Sequence, residues 1–82
     1  MEKNKYYKEL LNRILDACWS VNMYAADKDN ARNHFNSGMA HAYALVLSDM
    51  GHDVDIAEYG DEGFLKVAKI KFDGEVFYDF EK

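Results

Sequence analysis

The spacing of apolar residues changes at Gly51, and this change limits what the chain can fold into. Before Gly51, apolar residues recur at steps of three and four, which is the period of an amphipathic helix. After Gly51 they alternate with polar residues, beginning with Val54 and Ile56, which is typical of half-exposed strands. The sequence therefore predicts an α+β fold in which helices come first and strands follow.

A first helix is predicted over residues 5–26, and the polar residues 27–30 that follow it favour a turn with possible helix N-caps. Because its apolar residues lie four and three apart, they share one face of the helix. This face consists of Tyr7, Leu11, Ile14, Cys18, Val21 and Ala25, and it is widened by Leu10, Leu15, Trp19 and Tyr24.

A second helix is predicted over residues 31–50, ended by Gly51. Its middle is rich in small residues, including Gly38, so we expect Trp19 or Tyr24 of the first helix to pack there. The short connection predicts an antiparallel helical hairpin. We expect the buried face of the second helix to consist of Phe35, Met39, Ala42, Tyr43, Val46 and Met50.

Three strands are predicted over residues 53–58, 64–71 and 75–80, with a turn at 60–63. They complete one domain over residues 1–82, in which an antiparallel helical hairpin packs on a three-stranded antiparallel meander (ααβββ).

The last hairpin has two possible registers. A two-residue turn at Asp73–Gly74 pairs Lys71 with Val76, which mixes polar and apolar side chains on one face. A three-residue loop that begins one residue earlier pairs Ile70 with Val76 and gives a cleaner apolar face. We therefore predict the three-residue loop.

The residue types that carry catalysis or bind metals do not form a recognisable motif. His34 and His41 are seven residues apart, whereas two ligands on one helix need a spacing of three or four. Ser37 lies one turn from His41, but no nearby acid is evident to orient the imidazole. Cys18 lies on the apolar face of its helix, where thiols are usually buried and inert. We therefore expect a protein that is not an enzyme and has no cofactor, metal or catalytic residues.

Charge and cysteine content predict the cellular location of the protein and the class of partner that it binds. A single cysteine, an N-terminus without an apolar core and the lack of a long apolar run predict a cytoplasmic protein that does not enter membranes. The formal charge of −5 disfavours direct binding to nucleic acid or to an anionic membrane surface, because both are negatively charged. A basic protein is the partner that this charge favours.

The negative charge is concentrated in residues 49–62, which we call the acidic segment. It contains six acidic residues and no lysine or arginine, and we expect Asp53 and Asp55 to point to the same side of a strand. Tyr59 lies among the acids, and aromatic residues are enriched at interface cores. The predicted partner-binding residues are Asp49, Asp53, Asp55, Glu58, Tyr59, Asp61 and Glu62. The alternative is that the segment is simply a solvated surface.

In size, charge and low cysteine content, with its acids concentrated in the acidic segment, the chain resembles small acidic inhibitor proteins of phages and mobile elements, of the anti-CRISPR type. This resemblance implies a non-enzymatic protein that binds a nucleic-acid-binding partner and competes with nucleic acid for its basic surface. These inhibitors share no common motif, so the resemblance assigns no role to a particular residue.

Two other functions remain open. A structural or regulatory homo-oligomer, including a homodimer, would bury apolar surface that the sheet leaves uncovered, such as Leu15, Trp19 and Met23. A small enzyme or metal-binding protein is the less favoured alternative. Lys66, Lys69 and Lys71 lie on one predicted strand, and we interpret them as partners in cross-strand charge pairs rather than as a site for single-stranded nucleic acid.

Overall fold

The computed structural model describes residues 2–82 of the chain, with side chains from Tyr6 onward. Two helices, α1 (Glu2–Ala26) and α2 (Asn30–Asp49), precede three strands, β1 (Val54–Asp61), β2 (Phe64–Phe72) and β3 (Glu75–Asp79). The strands form an antiparallel sheet in the order β1-β2-β3, and the helical hairpin packs on it. The predicted α+β class and the order ααβββ are therefore confirmed.

The apolar face of α1 forms the centre of the core, as its period predicts. Ile14, Cys18 and Val21 are completely buried and contact Val67 and Ile70 of β2 through the main apolar cluster. Burial and, to a smaller extent, the negative charge of Glu58 raise the pKa of the Cys18 thiol to about 12, so the thiol stays protonated at neutral pH. Trp19 is an exception on this helix, because half of its surface is exposed.

The buried face predicted for α2 was wrong in part, because Met39 and Tyr43 do pack against the core but the helix is rotated by about a third of a turn from the expected orientation. Its buried residues are Asn33, Ser37, Ala40 and Leu47, whereas two thirds of the Phe35 surface is exposed. Val46 and Met50 are exposed as well, and Trp19 packs edge-on against Tyr78 and Phe80 of the sheet instead of against α2. The physical reason is that Asn33 bonds to Leu65 of β2 and to Val21 of α1, while Ser37 bonds to Glu58 of β1, so this side of α2 faces inward.

The ends of the helices are set by side-chain and backbone geometry. Lys28 adopts a left-handed conformation after α1, and the next residue, Asp29, caps α2 by accepting a hydrogen bond from the backbone N–H of Arg32. At the other end, Gly51 has a φ of 92°, a conformation that favours glycine. The predicted N-cap cluster and the glycine stop are confirmed.

A β-bulge in β2 determines which side chains of this strand face the helices. Ala57 pairs with Lys69 and Glu58 with Val67, so Ala68 is an extra residue in β2. Because of this extra residue, both halves of the strand place apolar side chains against the helices, namely Leu65, Val67, Ile70 and Phe72. The lysines of the strand lie on the opposite, outer face, opposite Tyr59, Ala57 and Asp55 of β1.

The predicted register of the last hairpin was wrong. Lys71 pairs with Val76 and Phe72 with Glu75, so the turn consists of the two residues Asp73 and Gly74. Both have positive φ, 50° and 88°, which is the geometry that matches the twist of paired strands. A bulge at Phe77 then restores apolar pairing, because Ile70 lies opposite Tyr78.

The turn between β1 and β2 is also shorter than the predicted turn at residues 60–63. Asp61 pairs with Phe64, so only Glu62 and Gly63 lie in the turn, again with positive φ.

Two asparagine side chains bond to the half of β2 that β3 does not reach. β3 ends opposite Lys69, and beyond that point Asn22 donates to the carbonyl of Val67 and accepts from its N–H, at 3.1 and 2.8 Å. Asn33 makes the same pair of bonds with Leu65, at 2.9 Å each, and also donates to the carbonyl of Val21 at 2.8 Å. Each amide therefore replaces one residue of a missing strand and satisfies backbone groups that would otherwise be unpaired.

We expect Asn33→Ala to destabilise the fold by about 2–4 kcal/mol, because it leaves the partly buried N–H and carbonyl of Leu65 without their partner and removes the additional bond to the Val21 carbonyl. Urea unfolding followed by circular dichroism measures this change. Asn12→Ala on the exposed side of α1 is the matched control and should change stability by no more than about 0.5 kcal/mol. Equal changes in the free energy of unfolding for the two substitutions would show that the hydrogen bonds of the Asn33 amide do not stabilise the fold.

Candidate functional site

The acidic segment extends along the edge of the sheet and does not form one compact cluster. Asp49 ends α2 and Asp53 directly precedes β1, while Asp61 and Glu62 lie at the hairpin turn on the far end of the strand. Since Val54 and Asp61 are seven strand steps apart, about 23 Å separate the two ends. β1 is an edge strand, with β2 on one side only.

The start of β1 is fixed by Asp73 of the last turn. The backbone N–H of Asp53 donates to Asp73 Oδ1 at 2.8 Å, and the Asp53 carbonyl accepts from the Asp73 N–H at 2.7 Å. His52 Nδ1 lies 3.0 Å from the other carboxylate oxygen. The hydrogen bond from Asp53 lowers the pKa of the Asp73 carboxyl, and the bond and charge of His52 lower it further. Asp53 is thus held at a defined position with its own carboxylate exposed.

Asp55 and Tyr59 lie on the outer face of the sheet. Asp55 is opposite Lys71 and Tyr59 is opposite Lys66, and cross-strand partners share a face. Tyr59 is 44% exposed, and its hydroxyl donates to the carboxylate of Glu81 at 3.0 Å. This hydrogen bond raises the pKa of Tyr59, and partial desolvation and the charge of Glu81 add to the effect.

Glu58 points in the opposite direction, toward α2. Its carboxylate accepts a hydrogen bond from Ser37 Oγ at 2.6 Å, and the other oxygen lies 3.1 Å from His41 Nε2. Only 17% of its side chain is exposed. The structure therefore separates Glu58 from Asp55, and gives it an internal bonding role that sequence reasoning missed.

The group formed by Ser37, Glu58 and His41 resembles a catalytic arrangement in composition but not in geometry. The serine hydroxyl donates to the carboxylate, which stands between the serine and the imidazole, so the imidazole is not placed to accept the serine proton. Ser37 is also only 5% exposed. Among the residues that the structure describes, there is no group of three or more His, Cys, Asp or Glu side chains that could hold a metal ion.

The acids of the hairpin turn have cationic neighbours. Asp61 lies 3.9 Å from the Lys66 ammonium, and Glu62 lies 3.6 Å from that of Lys28. All four side chains are largely exposed, and such ion pairs contribute about 0–1 kcal/mol each. The charge of the turn is therefore partly neutralised.

Three acids form no ion pair with the side chains that the structure describes, although Asp55 lies opposite Lys71 on the outer face. Among side chains 6–82, no lysine, arginine or histidine nitrogen lies within 4.0 Å of the carboxylates of Asp49, Asp53 or Asp55. All three residues are exposed. The part of the acidic segment that is free to attract a cation is thus the end where α2 passes into β1.

No protein-family model matches the chain, and no curated protein or solved structure matches it either. Within residues 2–82, no helix has the length and apolar character needed to cross a membrane.

We expect Glu58→Ala to destabilise the fold by about 1–3 kcal/mol, because it removes the acceptor of a buried serine hydroxyl. Glu62→Ala is the matched control, because the Glu62 side chain is 76% exposed, and it should change stability by less than about 0.5 kcal/mol. Chemical denaturation of both variants measures the difference. A Glu58 variant as stable as the control would show that the bond to Ser37 has no structural role.

The lowered pKa of Asp73 predicts a specific pH dependence. The charged carboxylate stabilises the folded state, so its contribution is complete above the ordinary aspartate pKa and is lost as the pH falls through the lowered value. Asp73→Asn should therefore be less stable than the unaltered protein at pH 7, and the two should converge in acid. Urea midpoints from pH 7 down to pH 2 test this, and a stability difference that stays constant over this range would contradict it.

Proposed function

We propose that the chain is a non-enzymatic protein-binding module that uses the free acids of the acidic segment to bind a basic surface on a partner protein. The observation that supports this proposal is that Asp49, Asp53 and Asp55 are exposed and have no cationic nitrogen within 4.0 Å among side chains 6–82. Such charges accelerate the encounter with a basic partner and help to select it.

The position of these acids favours recognition of a surface that normally binds phosphates. Asp53 and Asp55 are two residues apart, about 6.6–6.8 Å at the rise of a strand, a spacing comparable to that of successive phosphates on a nucleic-acid strand. The bonds between Asp53 and Asp73 hold the first of these acids in place, which lowers the entropy cost of binding. We therefore propose that the protein inhibits its partner by competing with nucleic acid.

Tyr59 provides apolar contact area farther along the same strand. It is half exposed, and its hydroxyl is anchored by Glu81, so the ring is presented in a restricted orientation. Aromatic residues of this kind contribute strongly at the centre of interfaces. Glu58 is not part of the proposed surface, because it faces α2, and Asp61 and Glu62 contribute less because lysines lie beside them.

The test uses the tagged chain to capture proteins from a nuclease-treated extract of its natural host. We expect Asp53→Asn/Asp55→Asn to weaken binding of the captured partner at least tenfold, which corresponds to about 1.4 kcal/mol. Binding affinities are measured by biolayer interferometry with the purified partner. Higher salt should weaken the complex, and a single-stranded oligonucleotide should displace the chain from its partner.

Asp16→Asn/Asp27→Asn is the matched control, because it removes the same charge from exposed positions in and after α1. It should leave the affinity close to that of the unaltered chain. Equal losses in both double variants would show that only net charge matters and that the proposed surface is wrong. Binding that the oligonucleotide does not affect would contradict competition with nucleic acid.

A further inference from the structure

β1 is the long open edge of the sheet, because the other strand edges are short or capped. β3 has five residues and a bulge at Phe77, and Asn22 and Asn33 bond to the part of β2 that β3 does not reach. β1 has eight residues and pairs with β2 on one side only. Lysine, proline and bulges usually protect an edge from a further strand, and β1 contains no lysine, proline or bulged residue.

The backbone of β1 offers a row of free hydrogen-bonding groups along this edge. The Asp73 N–H donates to the Asp53 carbonyl, and hydrogen-bonded positions alternate along an antiparallel pair. Positions 55 and 57 therefore direct their backbone groups toward β2, whereas Val54, Ile56 and Glu58 direct theirs away from it. In the described part of the chain, these outward N–H and carbonyl groups make no hydrogen bond to another element or to a side chain.

The two faces beside this edge differ in character. Val54 and Ile56 are partly buried and pack against the core, so a strand added here would place apolar side chains next to them. Asp55 on the outer face and Asp53 just before the strand are exposed and form no ion pair within 4.0 Å with a described side chain. Lys71 lies opposite Asp55, but on the β2 side. The strand that complements this edge thus alternates basic and apolar residues.

We infer that β1 takes up an extended segment of the partner protein as a further, antiparallel strand. Basic residues of the segment face Asp53 and Asp55, and its apolar residues lie beside Val54 and Ile56. This inference rests on the proposed function, because it names the part of the partner that the acids recognise. Backbone hydrogen bonds supply affinity and the carboxylates supply selectivity, as in other complexes in which a peptide extends a sheet.

The charge of the edge selects this occupant over a second copy of the chain. Pairing of two β1 strands would bring carboxylates opposite carboxylates, and like charges in directly opposite positions are destabilising. A basic segment has the complementary charge. Because such a segment also neutralises phosphates, its pairing with β1 would withdraw it from nucleic acid.

The test uses a capped synthetic peptide of alternating lysine and valine, with about eight residues to match β1. Exchange of individual amide hydrogens is measured by NMR on the isotope-labelled chain, with and without saturating peptide. We expect exchange of the Ile56 and Glu58 N–H groups to slow by at least about tenfold, because these groups gain carbonyl partners. The N–H groups of Asp55 and Ala57 are the internal controls. They already point toward β2, so their exchange should change much less.

Two N-methylated versions of the peptide test the hydrogen-bonded edge directly. In antiparallel pairing, the valines lie opposite Val54 and Ile56 and donate their N–H groups to β1, whereas the lysine N–H groups point away. Methylation of the valine nitrogens should therefore weaken binding at least about tenfold more than methylation of the lysine nitrogens, as measured by isothermal titration calorimetry. The two peptides have the same composition and charge. A peptide of alternating glutamate and valine should not bind, because its carboxylates would face Asp53 and Asp55.

The inference and the proposed function can fail separately. The inference is wrong if the lysine–valine peptide does not bind, or if the valine-methylated peptide binds as well as the lysine-methylated one. It is also wrong if a captured partner depends on Asp53 and Asp55 but leaves the exchange of Ile56 and Glu58 unchanged, a result that would leave the proposed function intact. Protection of the edge by the peptide, combined with capture that does not depend on the two acids, would support the site on β1 and contradict the proposed function.

Discussion

Two asparagine side chains join the helical hairpin to the sheet, and the orientation of the remaining elements depends on this joint. Asn22 and Asn33 bond to the backbone of β2 where β3 has ended, so the helices complete the hydrogen bonding of the central strand. An amide on a helix can do this only if that side of the helix lies against the strand. The joint therefore fixes the rotation of both helices more strongly than apolar patterning does, because unpaired buried backbone groups are costly.

The rotation of α2 explains the distribution of surface properties. Once Asn33 faces the sheet, Ser37 comes within reach of β1 and bonds to Glu58, which is thereby withdrawn from the acidic surface. The opposite face of α2 then carries Phe35 and Leu45 into solvent. The molecule consequently has an uncharged face on α2 and a separate acidic region where α2 passes into β1.

The sequence predicted the elements well and the orientation of α2 badly, for one physical reason. Apolar periodicity identifies a face by hydrophobicity alone, and of the apolar series of α2 only Met39 and Tyr43 pack against the core. Asn33 and Ser37, four residues apart, were the signal for a polar buried face, but single polar residues do not reveal their distant partners in a sequence. The turn at Asp73–Gly74 was mispredicted because the bulge at Phe77, which corrects the register beyond it, leaves no simple pattern.

The bulge at Ala68 has a consequence for how the sheet tolerates changes in length. Without this residue, positions 65–72 alternate strictly between apolar residues and lysine. Ala68 is therefore equivalent to a single-residue insertion into a regular strand. Because it forms a bulge, the apolar residues before and after it still face the helices, and the lysines still lie on the outer face. In a regular strand, a one-residue insertion would exchange the inner and outer faces of everything beyond it. A shortened chain that lacks Ala68 would keep the same core and the same lysine face, with a straighter central strand.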